Sequence, residues 1–156
     1  MSGVAIGDLG RSTAGGPAGL LGRLAEHAAR TPDALAVSGA RERWSYRAFE
    51  SATARLAERL KSAGVGPGDT VAIHALRTPA LALALVAVAR TGAAFLICDA
   101  AHPVRQSRRQ AERSGVKAWL ACGPAGLPKE LVGPELPVLT AEFDAPDVAS
   151  CEITNA

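Results

Sequence analysis

Two residues four positions apart, Cys98 and His102, have side chains of the types that bind zinc. A thiolate sulfur and an imidazole nitrogen are common zinc ligands, so this pair could share a metal ion. The remaining cysteines, Cys122 and Cys151, lie far away in the sequence, and no Cys-x-x-Cys motif is present. Because no further ligands lie at a suitable spacing, the pattern favours buried thiols over a metal site. We therefore predict that the chain contains no metal ligand.

Three other side chains could take part in acid–base or nucleophilic chemistry. His74 falls where a predicted strand ends, and open α/β sheets bind ligands at the carboxyl ends of their strands. A structural histidine is nevertheless the favoured interpretation. Ser45 and Tyr46 carry hydroxyl groups, but neither has an evident base beside it, as a nucleophile would require. We assign no catalytic residue and no cofactor-binding residue in this chain.

Four arginines lie close to one face of a predicted helix: Arg105, Arg108, Arg109 and Arg113. Such a face could bind phosphate groups or RNA. No aromatic residue that could stack on a base is nearby, and a run of charges is more often a solvated helix face. The formal net charge is only +2, which is too small to argue for a nucleic-acid or membrane partner. We expect neither partner.

The composition is typical of a globular domain. Hydrophobic residues make up 48% of the 156 residues and charged residues 21%. This length fits one domain or one large subdomain. The longest apolar run, residues 79–89, is much shorter than the ~20 residues that cross a bilayer, so it predicts a buried helix. Three cysteines without a disulfide framework indicate a reducing cytoplasm, which is the compartment we expect.

Strand and helix patterns alternate between Thr70 and Ala121, which indicates an α/β fold with a largely parallel sheet and helices on its faces. Helices are predicted from about Pro17 to Arg30, from Ser45 to Gly64, from Thr78 to Gly92 and from His102 to Arg113. Strands are predicted at 34–38, 42–45, 70–74, 93–97, 116–121 and 137–140. The third helix is apolar on nearly every side, so we expect other elements to cover both of its faces.

Three segments stand in register at suitable spacing: 28–36 (AARTPDALA), 44–49 (WSYRAF) and 89–99 (ARTGAAFLICD). They resemble the ARTPDAVAL, L-[ST]-Y-x-E-L and L-K-A-G-x-A-Y-V-P-L-D motifs of AMP-forming adenylation domains of the nonribosomal peptide synthetase type. Residues 101–103 (AHP) stand where that family often has A-Y-P, and residues 114–117 (SGVK) resemble its D-S-G-A-K. The resemblance covers roughly Leu20 to Ala121. It implies the first, incomplete part of the N-terminal domain of an adenylate-forming ligase.

The sequence departs from the family motifs at three positions. Ala48 stands where the family has the glutamate of a capping box, so Ser45 can still cap the second helix but loses the reciprocal bond. Ile97 replaces the usual proline and Cys98 replaces an aliphatic residue. Both replacements keep an apolar strand, so they affect the bend that leaves the strand and not the fold.

The resemblance implies ATP and Mg²⁺ as cofactors of the complete domain, bound through a loop of the form Y-T-S-G-[ST]-T-G-x-P-K-G. Residues 123–129 (GPAGLPK) share only the G-x-x-G-x-P-K spacing of that loop. They lack its hydroxyl residues, and Pro124 removes an amide that a phosphate loop would use. They also come too early in the family's order, so a plain surface loop is favoured over a phosphate loop. We expect no cofactor to bind to this chain itself.

These observations lead to one interpretation of the chain and two alternatives. We interpret residues 1–19 as a flexible leader, 20–144 as part of the N-terminal subdomain of an adenylation domain, and 145–156 as an irregular tail. The expected function is that of a partial amino-acid- or aryl-acid-activating ligase that is inactive alone. Its expected partners are the remainder of the domain and carrier or condensation domains. The alternatives are a non-catalytic interaction module that docks on a partner chain, and an independent nucleotide-binding α/β protein.

Overall fold

Helices and strands alternate along the chain in the computed structural model, which describes residues 19–40, 42–123, 126–132 and 136–141. In order, the elements are α1 (Leu20–Arg30), β1 (Leu35–Ser38), β2 (Arg43–Ser45), α2 (Tyr46–Ser62), β3 (Thr70–Ala75), α3 (Pro79–Arg90), β4 (Ala94–Asp99), α4 (Val104–Ser114), β5 (Ala118–Cys122), a 3-10 turn (Lys129–Leu131) and β6 (Val138–Ala141). Every predicted element is present, with ends shifted by a few residues. The predicted tail, and the predicted leader apart from Gly19, lie outside the described residues.

The strands β3, β4, β5 and β6 form one parallel sheet in the order β4-β3-β5-β6, which confirms the predicted fold class. β3 is central in this order, so His74 pairs with Cys98 on one side and with Ala121 on the other. β1 and β2 form a separate antiparallel hairpin. Its turn is closed by the amide of Gly39, which donates to the carbonyl of Glu42 over 2.8 Å.

The two faces of the parallel sheet pack against different layers. Successive side chains of a strand point to opposite faces. Val71 and Ile73 belong to one core with residues of α2 and α3, whereas Ala72 belongs to a second core with Ala111 of α4. The fold therefore has three layers, with α2 and α3 on one face of the sheet and α4 on the other.

Helix α3 lies between two cores, as its apolar sequence predicts. Ala84 and Val88 pack toward the sheet. Leu83 and Val86 pack in a third cluster with Trp44, which comes from the β1–β2 hairpin. The prediction that other elements cover both faces of this helix is confirmed.

The ends of the helices follow from local chemistry. Ser45 caps α2, because its Oγ accepts a hydrogen bond from the amide of Ala48 over 3.2 Å. Gly92 follows α3 with φ of 80°, a left-handed conformation that favours glycine. In α1, Leu21 and Leu24 are half-buried, whereas Leu20 is exposed. Leu20 lies in the first turn, with Gly19 before it.

No helix within the described ranges is long and apolar enough to span a membrane. The most apolar one, α3, has 12 residues.

Candidate functional site

The carboxyl ends of β3 and β4 bring together two of the side chains that the sequence singled out, His74 and Cys98. His74 and Cys98 are direct neighbours in the sheet, and Asp99 pairs with Ala75 one position further along. Ligands of open α/β sheets bind outside this edge. These three side chains therefore define the candidate site.

Asp99 anchors the loop that leaves β4. Its Oδ1 accepts a hydrogen bond from the amide of Ala101 over 2.8 Å, and its Oδ2 lies 3.8 Å from the Nε of Arg77. Arg77 follows β3 and is largely exposed, so this ion pair is weak. The sequence interpretation missed both residues. Their positions in the sequence could have indicated them, because Asp99 ends β4 and Arg77 follows the end of β3, and both strands belong to the parallel sheet.

His74 is only 9% exposed, and its surroundings disfavour the imidazolium form. Burial lowers the pKa of His74 below its usual value, and the carboxylate of Asp99 partly opposes that shift. A neutral imidazole can accept or donate a hydrogen bond, but it supplies no positive charge. This arrangement fits the structural role that the sequence favoured.

Cys98 and His102 lie in different environments. Cys98 is buried and its thiol interacts with Ser107, whereas His102 is exposed in the loop before α4. Burial raises the pKa of Cys98, and the hydrogen bond with Ser107 partly opposes the shift. Within the described residues, no group of three or more His, Cys, Asp or Glu side chains could hold a metal ion.

The basic face of α4 is solvated, as the sequence favoured. All four arginines, Arg105, Arg108, Arg109 and Arg113, are exposed. The Nε of Arg108 pairs with Glu112 over 3.0 Å, one helical turn further along. Neighbours three or four apart on a helix make such pairs without any ligand. The face therefore has an ordinary structural explanation.

Ser45 and Tyr46 are also accounted for by local structure. The Oγ of Ser45 is engaged in capping α2, and the ring of Tyr46 stacks on His27 of α1 with centroids 4.9 Å apart. The stacked rings are a contact between α1 and the start of α2.

The segment 123–129 lies after β5, and Pro124 and Ala125 lie outside the described residues. In its described part, Leu127 packs on the core that contains Trp119, and Lys129 is exposed at the start of the 3-10 turn. The packed leucine fits a surface loop anchored on the core.

A shallow cavity of about 660 Å³ is lined by residues of α1, α2 and the end of α3, and by none of His74, Cys98 or Asp99. Leu21 and Ala57 provide apolar wall, and Arg55, Arg59 and Lys61 provide positive charge. The Nη2 of Arg59 donates to the carbonyl of Thr140 over 3.0 Å, which ties α2 to β6. The lining contains no thiol, imidazole or hydroxyl group, and its one carboxylate, Glu58, pairs with Lys61 over 3.0 Å.

The described residues thus form a scaffold with a polar sheet edge. The thiol of Cys98 at this edge is buried with a raised pKa, and the charged groups beside it anchor loops.

Comparison with known proteins identifies similar chains. The family described as AMP-binding enzyme matches residues 24–155. Enterobactin synthase component F of Escherichia coli O157:H7 is 45% identical over 80 residues, which is 51% of this chain and 6% of that protein. The isonitrile lipopeptide synthase of Mycobacterium tuberculosis is 39% identical over 117 residues, which is 74% of this chain and 4% of that protein.

Two solved structures share the fold. The nonribosomal peptide synthetase FmoA3, bound to α-methyl-L-serine-AMP, matches 86% of this chain and 15% of its own, at 28% identity and a TM-score of 0.71. The O-succinylbenzoate coenzyme A synthetase of Bacillus subtilis, in complex with ATP and magnesium, matches 75% of this chain and 32% of its own, at 22% identity and a TM-score of 0.64. In each comparison, the match spans less than a third of the similar protein.

Proposed function

Because the chain belongs to the AMP-binding enzyme family, we propose that it forms the first part of an adenylation domain of an ATP-dependent, AMP-forming ligase in nonribosomal peptide biosynthesis. The match over residues 24–155 carries this proposal. The parallel α/β fold, which is similar to that of the synthetase FmoA3, also supports the proposal. The substrates of the complete ligase would be amino acids or aryl acids.

The proposed reaction joins the carboxylate of the acid to the α-phosphate of ATP. An acyl-adenylate forms and pyrophosphate leaves, and a thiol then takes the acyl group. Such a reaction needs hydrogen-bond donors around the phosphates, a Mg²⁺ ion and a mobile lysine. These requirements decide which part of the reaction the described residues could supply.

We propose that the described residues do not themselves hold the triphosphate and its metal ion. They contain no cluster of three or more His, Cys, Asp or Glu side chains. The sequence after β5 offers a lysine, Lys129, but no hydroxyl residue between Gly123 and Lys129. We propose that residues 20–144 supply scaffold, that ATP and Mg²⁺ bind elsewhere in the complete domain, and that this chain is not catalytic alone.

The proposed partners follow from the same assignment. The curated relatives are far longer than the matched part, which spans 6% or less of each. We propose that the remainder of an adenylation domain completes the sheet, with carrier or condensation domains further away. The cytoplasm is the proposed compartment, because the three cysteines form no disulfide framework in the sequence.

ATP–pyrophosphate exchange tests this function. The 156-residue chain should show no exchange with any amino acid or aryl acid. A chimera in which this chain replaces the matched segment of FmoA3 should show exchange. Activity of the chain alone would contradict the scaffold role, and a folded chimera without exchange would contradict the assignment to a ligase.

A further inference from the structure

The cavity lined by α1, α2 and the end of α3 has room for a small molecule. Its volume of about 660 Å³ falls within the range of roughly 300–1,000 Å³ that is usual for small-molecule sites. Leu21, Ala54 and Ala57 give it an apolar wall. These three side chains neither donate nor accept hydrogen bonds, so the wall favours a ligand with an apolar part.

Positive charge surrounds this apolar wall. The lining contains four cations and one carboxylate: Arg55, Arg59, Lys61, Arg90 and Glu58. Lys61 pairs with Glu58 over 3.0 Å, so these two charges cancel. Arg90 pairs with Glu50, which neutralises a third cation of the cavity in the same way. The other two arginines therefore set the charge of the cavity.

Arg55 and Arg59 both keep their positive charge. The Nη2 of Arg59 donates to a neutral acceptor, the carbonyl of Thr140. Among the residues that the structure describes, the side chain of Arg55 has no hydrogen-bond or ion-pair partner. The two arginines are four residues apart on α2, and like charges at this spacing repel each other. An anion bound between them removes this repulsion.

We propose that this cavity binds a free aliphatic carboxylate, a small molecule with an acidic head and an apolar chain. A guanidinium group donates two parallel hydrogen bonds to a carboxylate, so the head binds to Arg55 and Arg59. The chain lies over Leu21 and Ala57, where apolar surface is removed from water. The lining contains no aromatic side chain on which a nucleotide base could stack, which favours an aliphatic ligand.

Titration of the 156-residue chain with sodium octanoate, followed by the amide signals in NMR spectra, tests the proposal. The amides of Leu21, Arg55 and Arg59 should shift and reach saturation. Octanol lacks the acidic head and acetate lacks the chain, so each should bind about tenfold more weakly than octanoate. The absence of a saturable shift with octanoate up to about 10 mM would overturn the proposal, as would equally tight binding of octanol or acetate.

Substitutions test whether the ligand lies in this cavity. Arg55→Gln removes the unpaired guanidinium and Ala54→Glu adds a carboxylate to the lining, so each should weaken octanoate binding by about tenfold. Both residues are exposed on α2, so neither substitution changes the core. Arg113→Gln and Gln106→Glu are the matched controls, because they make the same changes of charge at exposed positions of α4. The controls should leave octanoate binding unchanged.

The variants and their controls separate a specific site from a general attraction of anions to the chain. If Arg55→Gln and Arg113→Gln weaken octanoate binding equally, octanoate responds only to the net charge and the proposal is wrong. If binding survives both Arg55→Gln and Ala54→Glu, the ligand lies elsewhere on the chain and the proposal is also wrong.

Discussion

Arg90 at the end of α3 forms an ion pair with Glu50 near the start of α2, and its Nε also donates to the Oγ of Thr53 over 3.1 Å. These groups join two helices that pack on the same face of the sheet. Arg90 and Glu50 are 19% and 29% exposed, so both are partly desolvated. Removal of one member of such an ion pair destabilises the fold, because the other charge stays partly buried without its partner.

Arg90→Met should therefore lower the free energy of unfolding by about 1–3 kcal/mol, since Glu50 and Thr53 both lose their donor. Urea denaturation followed by circular dichroism measures the change. Arg108→Met is the matched control. Its pair with Glu112 is exposed on α4, so that substitution should cost at most about 0.5 kcal/mol. Equal losses for the two variants would contradict the role given to Arg90.

Gly92→Ala should destabilise the chain more than Gly64→Ala. Both glycines follow helices with positive φ, 80° and 89°, so both substitutions carry backbone strain of about 1 kcal/mol. A Cβ at residue 92 would also lie 3.0 Å from the Cγ of Pro67, whereas nothing lies within 4 Å at residue 64. Thermal unfolding of both variants gives the comparison. If Gly92→Ala lowers the unfolding temperature no more than Gly64→Ala does, Pro67 moves aside without cost and the prediction is wrong.

Asp99→Asn should lower the pKa of His74 further. Burial already holds that pKa below its usual value, and the Asp99 carboxylate opposes the shift, so its removal leaves burial unopposed. The imidazole proton signals in an NMR titration report this pKa. Asp33→Asn is the control, because Asp33 pairs with Arg47 on the surface. A rise of the His74 pKa in the Asp99→Asn variant would contradict the arrangement.

The same shift sets a pH dependence of stability. A histidine whose pKa is depressed in the folded state takes up a proton more readily when unfolded. The contribution of His74 to stability should be complete above the ordinary histidine pKa and decrease as pH falls below it. In the His74→Gln variant, the free energy of unfolding should therefore decrease less steeply as the pH falls below the ordinary histidine pKa. If the pH dependence of the free energy of unfolding is the same in both proteins, groups other than His74 cause it and the prediction is wrong.

Cys122 should react slowly with alkylating reagents in the folded chain. Burial raises its pKa to about 11, so about a thousandth of the thiol is ionised at pH 8. Peptide-level mass spectrometry after iodoacetamide treatment measures the rate. The rate should increase up to about pH 11, and it should match that of an ordinary cysteine in urea. Rapid labelling of Cys122 at pH 8 in the folded protein would show that the thiol is accessible and ionised.

Local signals predicted the elements of this fold well. Ser45 as an N-cap, the glycine after α3 and the apolar run in α3 each depend on neighbouring residues, and each is confirmed by the structure. The parallel sheet followed from the alternation of strands and helices. These features need no knowledge of distant contacts, and for that reason sequence reasoning could reach them.

Distant contacts were out of reach. The Arg90–Glu50 pair joins residues 40 positions apart, and the Arg59–Thr140 bond spans 81 positions. The weak packing of Leu20 also depends on which neighbours α1 meets. At the candidate site, the sequence predicted His74 at a strand end, but not that Asp99 and Arg77 meet beside it, because that requires the register of β3 against β4.

The strand order bears on how the chain folds while it is being made. A nascent chain emerges from its N-terminal end, so β3 leaves the ribosome before the other strands of the sheet. β4 then pairs with β3, β5 pairs with the free side of β3, and β6 pairs with β5. Each new strand finds its partner already synthesised, and no strand has to wait for a later one. Translation can therefore add this sheet one strand at a time, outward from its centre.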